Sequence, residues 1–310
     1  MSPNKSPRIA VLTRVGYSYH GKVLWGFLNK VEEIMGLKWR PVLFFCKEPR
    51  REVMIEQMHE IKNNGSYDLI ISIGALYSLV AKEFIKEHNW DIPLLFGGIT
   101  DPVELGVLQD YVCEEGVTGV LREQVPATYI ADFLMMLKPS MKKVLIPHYP
   151  NSEEGLLIRR LNMIVAHLAE HDIESVLLPV NNMREVNAAV AEAIPHVDTM
   201  IIPEGTFVGE LTNSFIEMAN RYQVTLVSHS LEAAHRGTAI TFAQDIGLIG
   251  EYMFTQARYL LEDDKKPIDV PLLTVPDQRK IIINKAACEK QGLIYNPAIL
   301  FCLNKSIVLE

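Results

Sequence analysis

Polar and aromatic residues that could contact a small molecule follow directly after short apolar segments of the sequence. If those segments are parallel strands of an open α/β sheet, the residues stand at the carboxyl ends of the strands, where ligands bind in such folds. The candidates in the first part of the chain are Tyr17, Ser18, Gly74, Ala75, Tyr77, Thr100 and Asp101. Those in the second part are Tyr149, Asn151, Ser152, Glu204, Thr206, Ser228 and Asp245.

Four tyrosines, Tyr17, Tyr19, Tyr77 and Tyr149, fall in these turns. Aromatic walls bind the flat or apolar part of a ligand well. The same rings could instead close off the top of a sheet, and the sequence leaves both interpretations open.

The segment Thr100-Asp101-Pro102-Val103-Glu104 has the pattern of a helix start. Asp101 is a typical cap, proline suits the first helical position, and Glu104 would close a capping box. A ligand contact by Thr100 or Asp101 is compatible with the same pattern. The preceding Gly97-Gly98 likewise fits a tight turn or a close approach of backbone to ligand.

Three second-half residues, His148, Glu204 and His229, each follow a different apolar segment and could converge as metal ligands. Separate polar contacts to a ligand, or solvated turn residues, are the favoured explanation. His167 and His171 lie four apart on one helix face and indicate a solvated helix end without a third ligand. We expect no metal and no cofactor.

Enzyme signatures are missing from the sequence. It contains no P-loop, no G-x-G-x-x-G after a strand, no G-x-S-x-G and no H-E-x-x-H. We therefore predict no catalytic residues. The alternative is an enzyme that uses Glu204, His229 and Asp101 as acid–base groups.

The elements that must position these residues alternate along the chain. Asp68–Gly74 and Ile92–Gly98 are continuous apolar runs bounded by Gly and Pro, which is typical of parallel strands buried on both faces. Similar strand and helix segments repeat from Arg8 to Leu261. This repetition predicts two doubly wound α/β lobes with a ligand cleft between them.

Composition limits the class of protein. A length of 310 residues predicts about two domains. The net charge of −8 argues against a nucleic-acid partner. The four cysteines lie far apart and form neither a zinc pattern nor a disulfide framework. No apolar run is long enough to span a membrane, and the first residues have no apolar region typical of a signal peptide.

Several segments, in order and spacing, resemble the substrate-binding proteins of ABC transporters in the type I periplasmic-binding fold, in the branch with tryptophan- and tyrosine-binding members. The resemblance covers nearly the whole chain. The segments are DLIISIGA (68–75), IPLLFGGITDPVELG (92–106), KKVLIPHYPNSEE (142–154), TMIIPEGT (199–206), HRGTAITFAQDIGLIG (235–250) and PLLTVPDQRKIIINKAACEKQGL (271–293). Two positions depart from the pattern. Ala75 stands where relatives often have Thr, and Glu204-Gly205-Thr206 stands where they often have Thr-Asp-Asn.

The resemblance implies a first lobe over 8–120 to which 245–265 returns. It implies a second lobe over 121–244, with 270–310 at the hinge and second lobe. It also implies that the protein acts outside the cytoplasm. There the two lobes would close about a hinge on a small molecule, expected to be an amino acid, and the protein would deliver that molecule to a membrane permease. The alternative is a cytoplasmic ligand sensor or an enzyme on the same scaffold.

Overall fold

The structure, a computed structural model, describes residues 6–14, 18–46, 50–99, 101–122, 126–148, 156–180, 183–203, 211–276, 278–296, 298–299 and 306–309. The chain divides into two compact units. The first comprises Met1–Gln124 and Ile246–Asp277, and the second comprises Val125–Asp245 and Gln278–Glu310. Among the described residues, no helix combines the length and apolar character needed to cross a bilayer.

Strands and helices alternate along most of the chain. The strands are β1 (Arg8–Arg14), β2 (Arg40–Cys46), β3 (Leu69–Ile73), β4 (Leu94–Ile99), β5 (Val117–Arg122), β6 (Lys143–His148), β7 (Glu174–Pro179), β8 (Thr199–Ile201), β9 (Thr225–Ser228), β10 (Ile240–Ala243), β11 (Leu273–Val275), β12 (Lys280–Asn284) and β13 (Ser306–Leu309). The helices are α1 (Ser18–Lys30), α2 (Arg51–Asn63), α3 (Ala75–Glu87), α4 (Tyr129–Leu137), α5 (Leu156–Glu170), α6 (Met183–Ala193), α7 (Thr212–Tyr222), α8 (Leu231–Arg236), α9 (Gly247–Leu261) and α10 (Lys285–Lys290).

Unit 1 is built on a parallel sheet with the strand order β11-β5-β4-β3-β1-β2. Successive side chains of a strand point to opposite faces. Ile9 and Val11 of β1 accordingly pack with residues of α1 and α9, while Ala10 and Leu12 pack with residues of α2 and α3. Because helices cover both faces, the central strands are mostly apolar on both sides, as the sequence predicts.

Helices α1 and α9 approach each other at backbone distance. A Cβ atom added to Gly250 would overlap the Val23 carbonyl oxygen and the Phe27 amide nitrogen of α1. A Cβ atom on Gly26 would overlap the backbone of Gly247. Glycine is therefore required on both helices, and this contact fixes α1 against α9 on one face of the sheet.

Unit 2 has the strand order β13-β12-β10-β9-β8-β6-β7, and β12 is antiparallel to β10. The strands from β6 to β10 are mutually parallel. Val144 and Ile146 of β6 belong to a core with residues of α4 and α5, and Leu145 belongs to one with residues of α6 and α7. The α/β class with doubly wound sheets is thus confirmed in both units.

A buried lysine ties the amino ends of the unit 2 strands together. Lys138 Nζ lies 3.2 Å from Asp198 Oδ1 and donates to the hydroxyls of Thr199 (3.2 Å) and Thr225 (3.0 Å). Burial lowers the pKa of Lys138, and the attraction of Asp198 opposes that shift. Asp198 also accepts the backbone amides of Lys142 and Lys143, so one ion pair joins α4 to three strands.

Some sequence expectations were wrong in detail. Strand β5 pairs with β4 and with β11 inside the unit 1 sheet. Residues 273–275, expected at the hinge or second lobe, therefore belong to unit 1. The sequence interpretation also omitted α8, α10 and β13, which are too short to show a hydrophobic period.

Gly250→Ala should destabilise unit 1. The added methyl group meets backbone atoms of α1 that cannot rotate away. We expect the free energy of unfolding to fall by about 1–3 kcal/mol, the usual cost of overpacking, measured by urea denaturation. Gly21→Ala is the control, because nothing lies within 4 Å of its added Cβ. Replacing a helical glycine there should leave stability unchanged or raise it by up to about 1 kcal/mol. Equal effects of the two substitutions would contradict the backbone contact.

Candidate functional site

The turn between β3 and α3 forms the centre of the carboxyl edge in unit 1. Gly74 has a φ of 105°, and its amide donates to the Gly97 carbonyl oxygen over 2.9 Å. Ser78 donates its hydroxyl to the Gly74 carbonyl over 2.8 Å. Helix α3 starts at Ala75. The first amides of a helix carry a partial positive charge and suit a carboxylate or phosphate, so an anion at this turn would meet a favourable potential.

Two aromatic residues of α1 rest on glycines at this edge. A Cβ atom on Gly74 would lie 2.5 Å from His20 Cε1, and one on Gly98 would lie 3.3 Å from Tyr19 Cε1. The ring centroids of Tyr19 and His20 are 6.1 Å apart, and those of His20 and Tyr77 are 5.5 Å apart. The first turn of α1 thus packs on the ends of β3 and β4.

Tyr77 is fully buried and belongs to the core formed with α2 and α3. This placement agrees with the interpretation of a ring that closes the top of the sheet. Tyr19 is half-buried and lies over Gly98, so of the two rings it is the one that keeps an accessible surface.

His20 is a feature of this edge that the sequence interpretation missed. Its side chain is 8% exposed. Burial lowers its pKa from 6.5 to about 3, with a further contribution from the charge of Arg14, so the imidazole is neutral at neutral pH. The spacing of His20 to Val23, Leu24 and Phe27 is that of one buried helix face, and this signal could have identified it.

Thr13, near the carboxyl end of β1, is also buried. Its hydroxyl has no hydrogen-bond partner among the described residues. A buried hydroxyl without a partner costs free energy, which makes Thr13 a candidate for contact with water or a ligand atom.

Asp101 organises the turn after β4. Its Oδ1 accepts the amides of Val103 and Glu104, each over 3.0 Å, and its Oδ2 accepts the Tyr111 hydroxyl over 2.8 Å. The capping contacts exist as the sequence suggests. The expected helix does not, because consecutive turns follow Asp101. Gly106, with a φ of 74°, lies among these turns.

In unit 2, Ser228 ends β9 and is 2% exposed. Its hydroxyl lies 2.9 Å from that of Thr241 and 3.3 Å from that of Thr238. The neighbouring His229 donates its Nδ1 hydrogen to the Ile202 carbonyl over 2.8 Å, which fixes its tautomer. Asp245 follows β10 and is exposed. These residues occupy the carboxyl edge, as the sequence predicts, but Ser228 is engaged in an internal hydroxyl network.

The remaining candidates lie partly outside the described residues. Gly74, Ala75 and Tyr77 are brought together in unit 1. The backbone of Ser18 begins α1, and its side chain is not described. Outside the described residues lie Tyr17, Thr100, Tyr149, Asn151, Ser152, Glu204 and Thr206.

The alternative in which His148, Glu204 and His229 converge on a metal includes one residue, Glu204, that lies outside the described part. His148 Nδ1 lies 3.4 Å from the Ile146 carbonyl, whereas His229 binds a different carbonyl. Within the described ranges, no group of three His, Cys, Asp or Glu side chains is arranged around one metal position.

Comparison with known proteins identifies relatives over most of the chain. Residues 46–307 match the family model described as ABC transporter substrate binding protein. A tyrosine-binding protein of Clostridioides difficile (strain R20291) is 22% identical over 218 residues, 70% of this chain and 61% of the relative. The chain thus matches about three-fifths of that relative's length.

Two solved structures share the fold. The ABC domain in complex with L-Trp from Streptococcus pneumonia has a TM-score of 0.79 at 17% identity, covering 98% of this chain and all of that one. A conserved domain protein from Vibrio cholerae has a TM-score of 0.78 at 16% identity, covering 99% and 100%. The resemblance drawn from the sequence segments is confirmed.

Acid should destabilise unit 1 through His20. Its folded pKa lies below its unfolded value, so the neutral ring stabilises the fold fully above pH 6.5 and loses that contribution as the pH falls toward about 3. His20→Gln should remove this pH dependence. We compare the unfolding free energy of the parent with that of the variant at neutral pH and at about pH 4.5. On acidification the parent should lose up to about 2–3 kcal/mol more than the variant.

Urea denaturation of both proteins at each pH measures this shift. The difference at neutral pH reports packing alone and serves as the reference. A difference that stays constant with pH would contradict the buried neutral imidazole.

Proposed function

The chain belongs to the family of ABC transporter substrate-binding proteins. On that premise, we propose that it acts outside the cytoplasm, where it captures an aromatic amino acid and delivers it to a membrane permease. The match to the family model supports the solute-binding role. The names of two relatives, a tyrosine-binding protein and a domain in complex with L-Trp, support the amino-acid class. The proposal contains no catalytic step.

The observation that carries the proposal is the joint placement of two groups at the carboxyl edge of unit 1. The amino end of α3 begins at Ala75, and the Tyr19 ring lies over Gly98. An amino acid with an aromatic side chain has complementary parts. Its carboxylate would accept backbone amides of α3, and its ring would pack on Tyr19.

The neutral state of His20 is compatible with this arrangement. A helix amino terminus favours an anion and disfavours a nearby cation. Burial keeps the His20 imidazole uncharged at neutral pH. The ring therefore places no positive charge beside the amino terminus of α3. The carboxylate of the ligand would then interact mainly with helix amides and with Arg14, which ends β1.

Calorimetry with L-tyrosine and L-tryptophan tests the ligand class. We expect both to bind, and L-tyrosinamide, which lacks the carboxylate, to bind at least about tenfold more weakly. A charge-assisted hydrogen bond is worth about 1.5–3 kcal/mol. Tyr19→Leu should weaken the binding of aromatic amino acids more than the binding of L-leucine.

Asp101→Ala is the control for these measurements. It removes a turn contact rather than a ligand contact, and should lower stability by about 0.5–2 kcal/mol with a smaller effect on affinity. Equal binding of L-tyrosine and its amide would exclude the helix amides as the carboxylate site.

Closure of the two units on the ligand is the mechanism that we propose from the family. A ligand shifts a protein toward a closed state only if it binds that state better. Small-angle scattering with saturating L-tyrosine or L-tryptophan should therefore give a smaller radius of gyration than scattering without it. An unchanged radius at saturation, with binding demonstrated by calorimetry, would argue against closure.

A further inference from the structure

One buried hydroxyl of unit 1 has no hydrogen-bond partner. Thr13 of β1 is 1% exposed, and its Oγ1 atom makes no hydrogen bond within the part of the chain that the structure describes. The other buried serine and threonine side chains described in unit 1 are paired. The hydroxyls of Ser72 and Ser78 lie 2.8 Å apart, and that of Thr118 donates to the Val270 carbonyl oxygen over 3.0 Å. Valine has the same shape and would avoid the cost of burying an unpaired hydroxyl, so packing alone does not account for threonine here.

Thr13 lies close to the residue at which α3 begins. In the unit 1 sheet, Leu12 pairs with Ser72 of β3. The two strands are parallel, so the same register places Thr13 beside Ile73, the last residue of β3. Gly74 follows Ile73 and directly precedes α3. The unpaired hydroxyl thus belongs to the carboxyl edge that holds the candidate site.

The Thr13 side chain points to the face of the sheet that α1 covers. Side chains two residues apart on a strand share a face, and Val11 packs in the core that contains residues of α1 and α9. At this edge, the His20 ring of α1 lies against Gly74. Helices α1 and α3 have 13 residues each, and both begin near Thr13. Because the amino end of a helix favours an anion, an anion here would meet two such ends.

We propose that Thr13 donates its hydroxyl hydrogen to the carboxylate of the bound amino acid and is thereby a residue that determines ligand class. This inference rests on the proposed function and adds a residue to it. The hydroxyl and the nearby helix amides are all donors, and a carboxylate has enough acceptor positions to serve several donors together. The hydroxyl is then unpaired in the ligand-free protein and gains its partner when the ligand binds.

The competing interpretation is a purely structural threonine whose hydroxyl stays unpaired or binds a buried water molecule. That interpretation predicts an effect of Thr13 on stability and none on ligand binding. Thr13→Val separates the two, because it keeps the shape of the side chain and removes only the hydroxyl. Thr13→Ser is the matched variant that keeps the hydroxyl and removes the methyl group.

Calorimetry with the full chain tests the proposal with two probes, L-tyrosine and tyramine, which lacks the carboxylate. Thr13→Val should weaken the binding of L-tyrosine at least about tenfold, as expected for the loss of a hydrogen bond to a charged group. The same substitution should leave the binding of tyramine unchanged. Thr13→Ser should keep most of the affinity for L-tyrosine.

Urea denaturation without ligand provides a second readout, with Thr118→Val as the control. Thr118→Val removes a hydroxyl that has a partner in unit 1, so it should lower stability and leave the affinity for L-tyrosine unchanged. Thr13→Val removes a hydroxyl without a partner, so its stability should equal or exceed that of the parent. A loss of stability in Thr13→Val as large as that in Thr118→Val would contradict the unpaired state of Thr13.

The role of Thr13 is overturned if Thr13→Val binds L-tyrosine like the parent, and this result would leave the proposed function intact. It is also overturned if the variant loses L-tyrosine and tyramine equally, because the hydroxyl would then not act on the carboxylate. Failure of the parent to bind both L-tyrosine and L-tryptophan would instead contradict the proposed function, and the inference would fall with it.

Discussion

The position of α1 is the constraint on which the candidate site in unit 1 depends. Its middle contacts the backbone of α9 through Gly26 and Gly250, and its first turn contacts the strand ends through Gly74 and Gly98. Interiors this close-packed transmit even small changes of volume. The position of the Tyr19 ring therefore depends on Gly26 and Gly250, which hold α1 against α9, as well as on Gly98 beneath the ring.

The same packing explains the electrostatics of the edge. His20 is pressed between Gly74 and Tyr77, and burial disfavours the charged form of its ring. An imidazole that is uncharged at neutral pH fills space beside the start of α3 without opposing the dipole of that helix. The edge can then combine dense packing with an attraction for anions, because the buried imidazole carries no charge at neutral pH.

The sequence predicts the fold well because each central strand is covered on both faces, and such strands are apolar over their whole length. Asp68–Gly74 and Ile92–Gly98 were recognised on this ground alone. The turn after β4 was less predictable. Asp101 makes the same amide contacts at the start of a turn as at the start of a helix, so a capping pattern cannot distinguish the two. His20 escaped notice because a histidine signals polarity in a sequence, although its spacing to Val23, Leu24 and Phe27 places it on the buried face of α1.

The two edges of the unit 2 sheet handle buried polar groups in different ways. At the amino edge, Lys138 and Asp198 form a charged pair supported by threonine hydroxyls and backbone amides. A buried charge is tolerated only with such complete pairing, and this network holds the starts of β6, β8 and β9 in one register. At the carboxyl edge, Ser228 takes part in a neutral hydroxyl network with Thr238 and Thr241.

Because breaking a buried ion pair costs more than exchanging neutral hydrogen bonds, the amino edge is the more costly of the two to rearrange. The carboxyl edge, held by neutral hydrogen bonds, is the one that can rearrange at the lower cost.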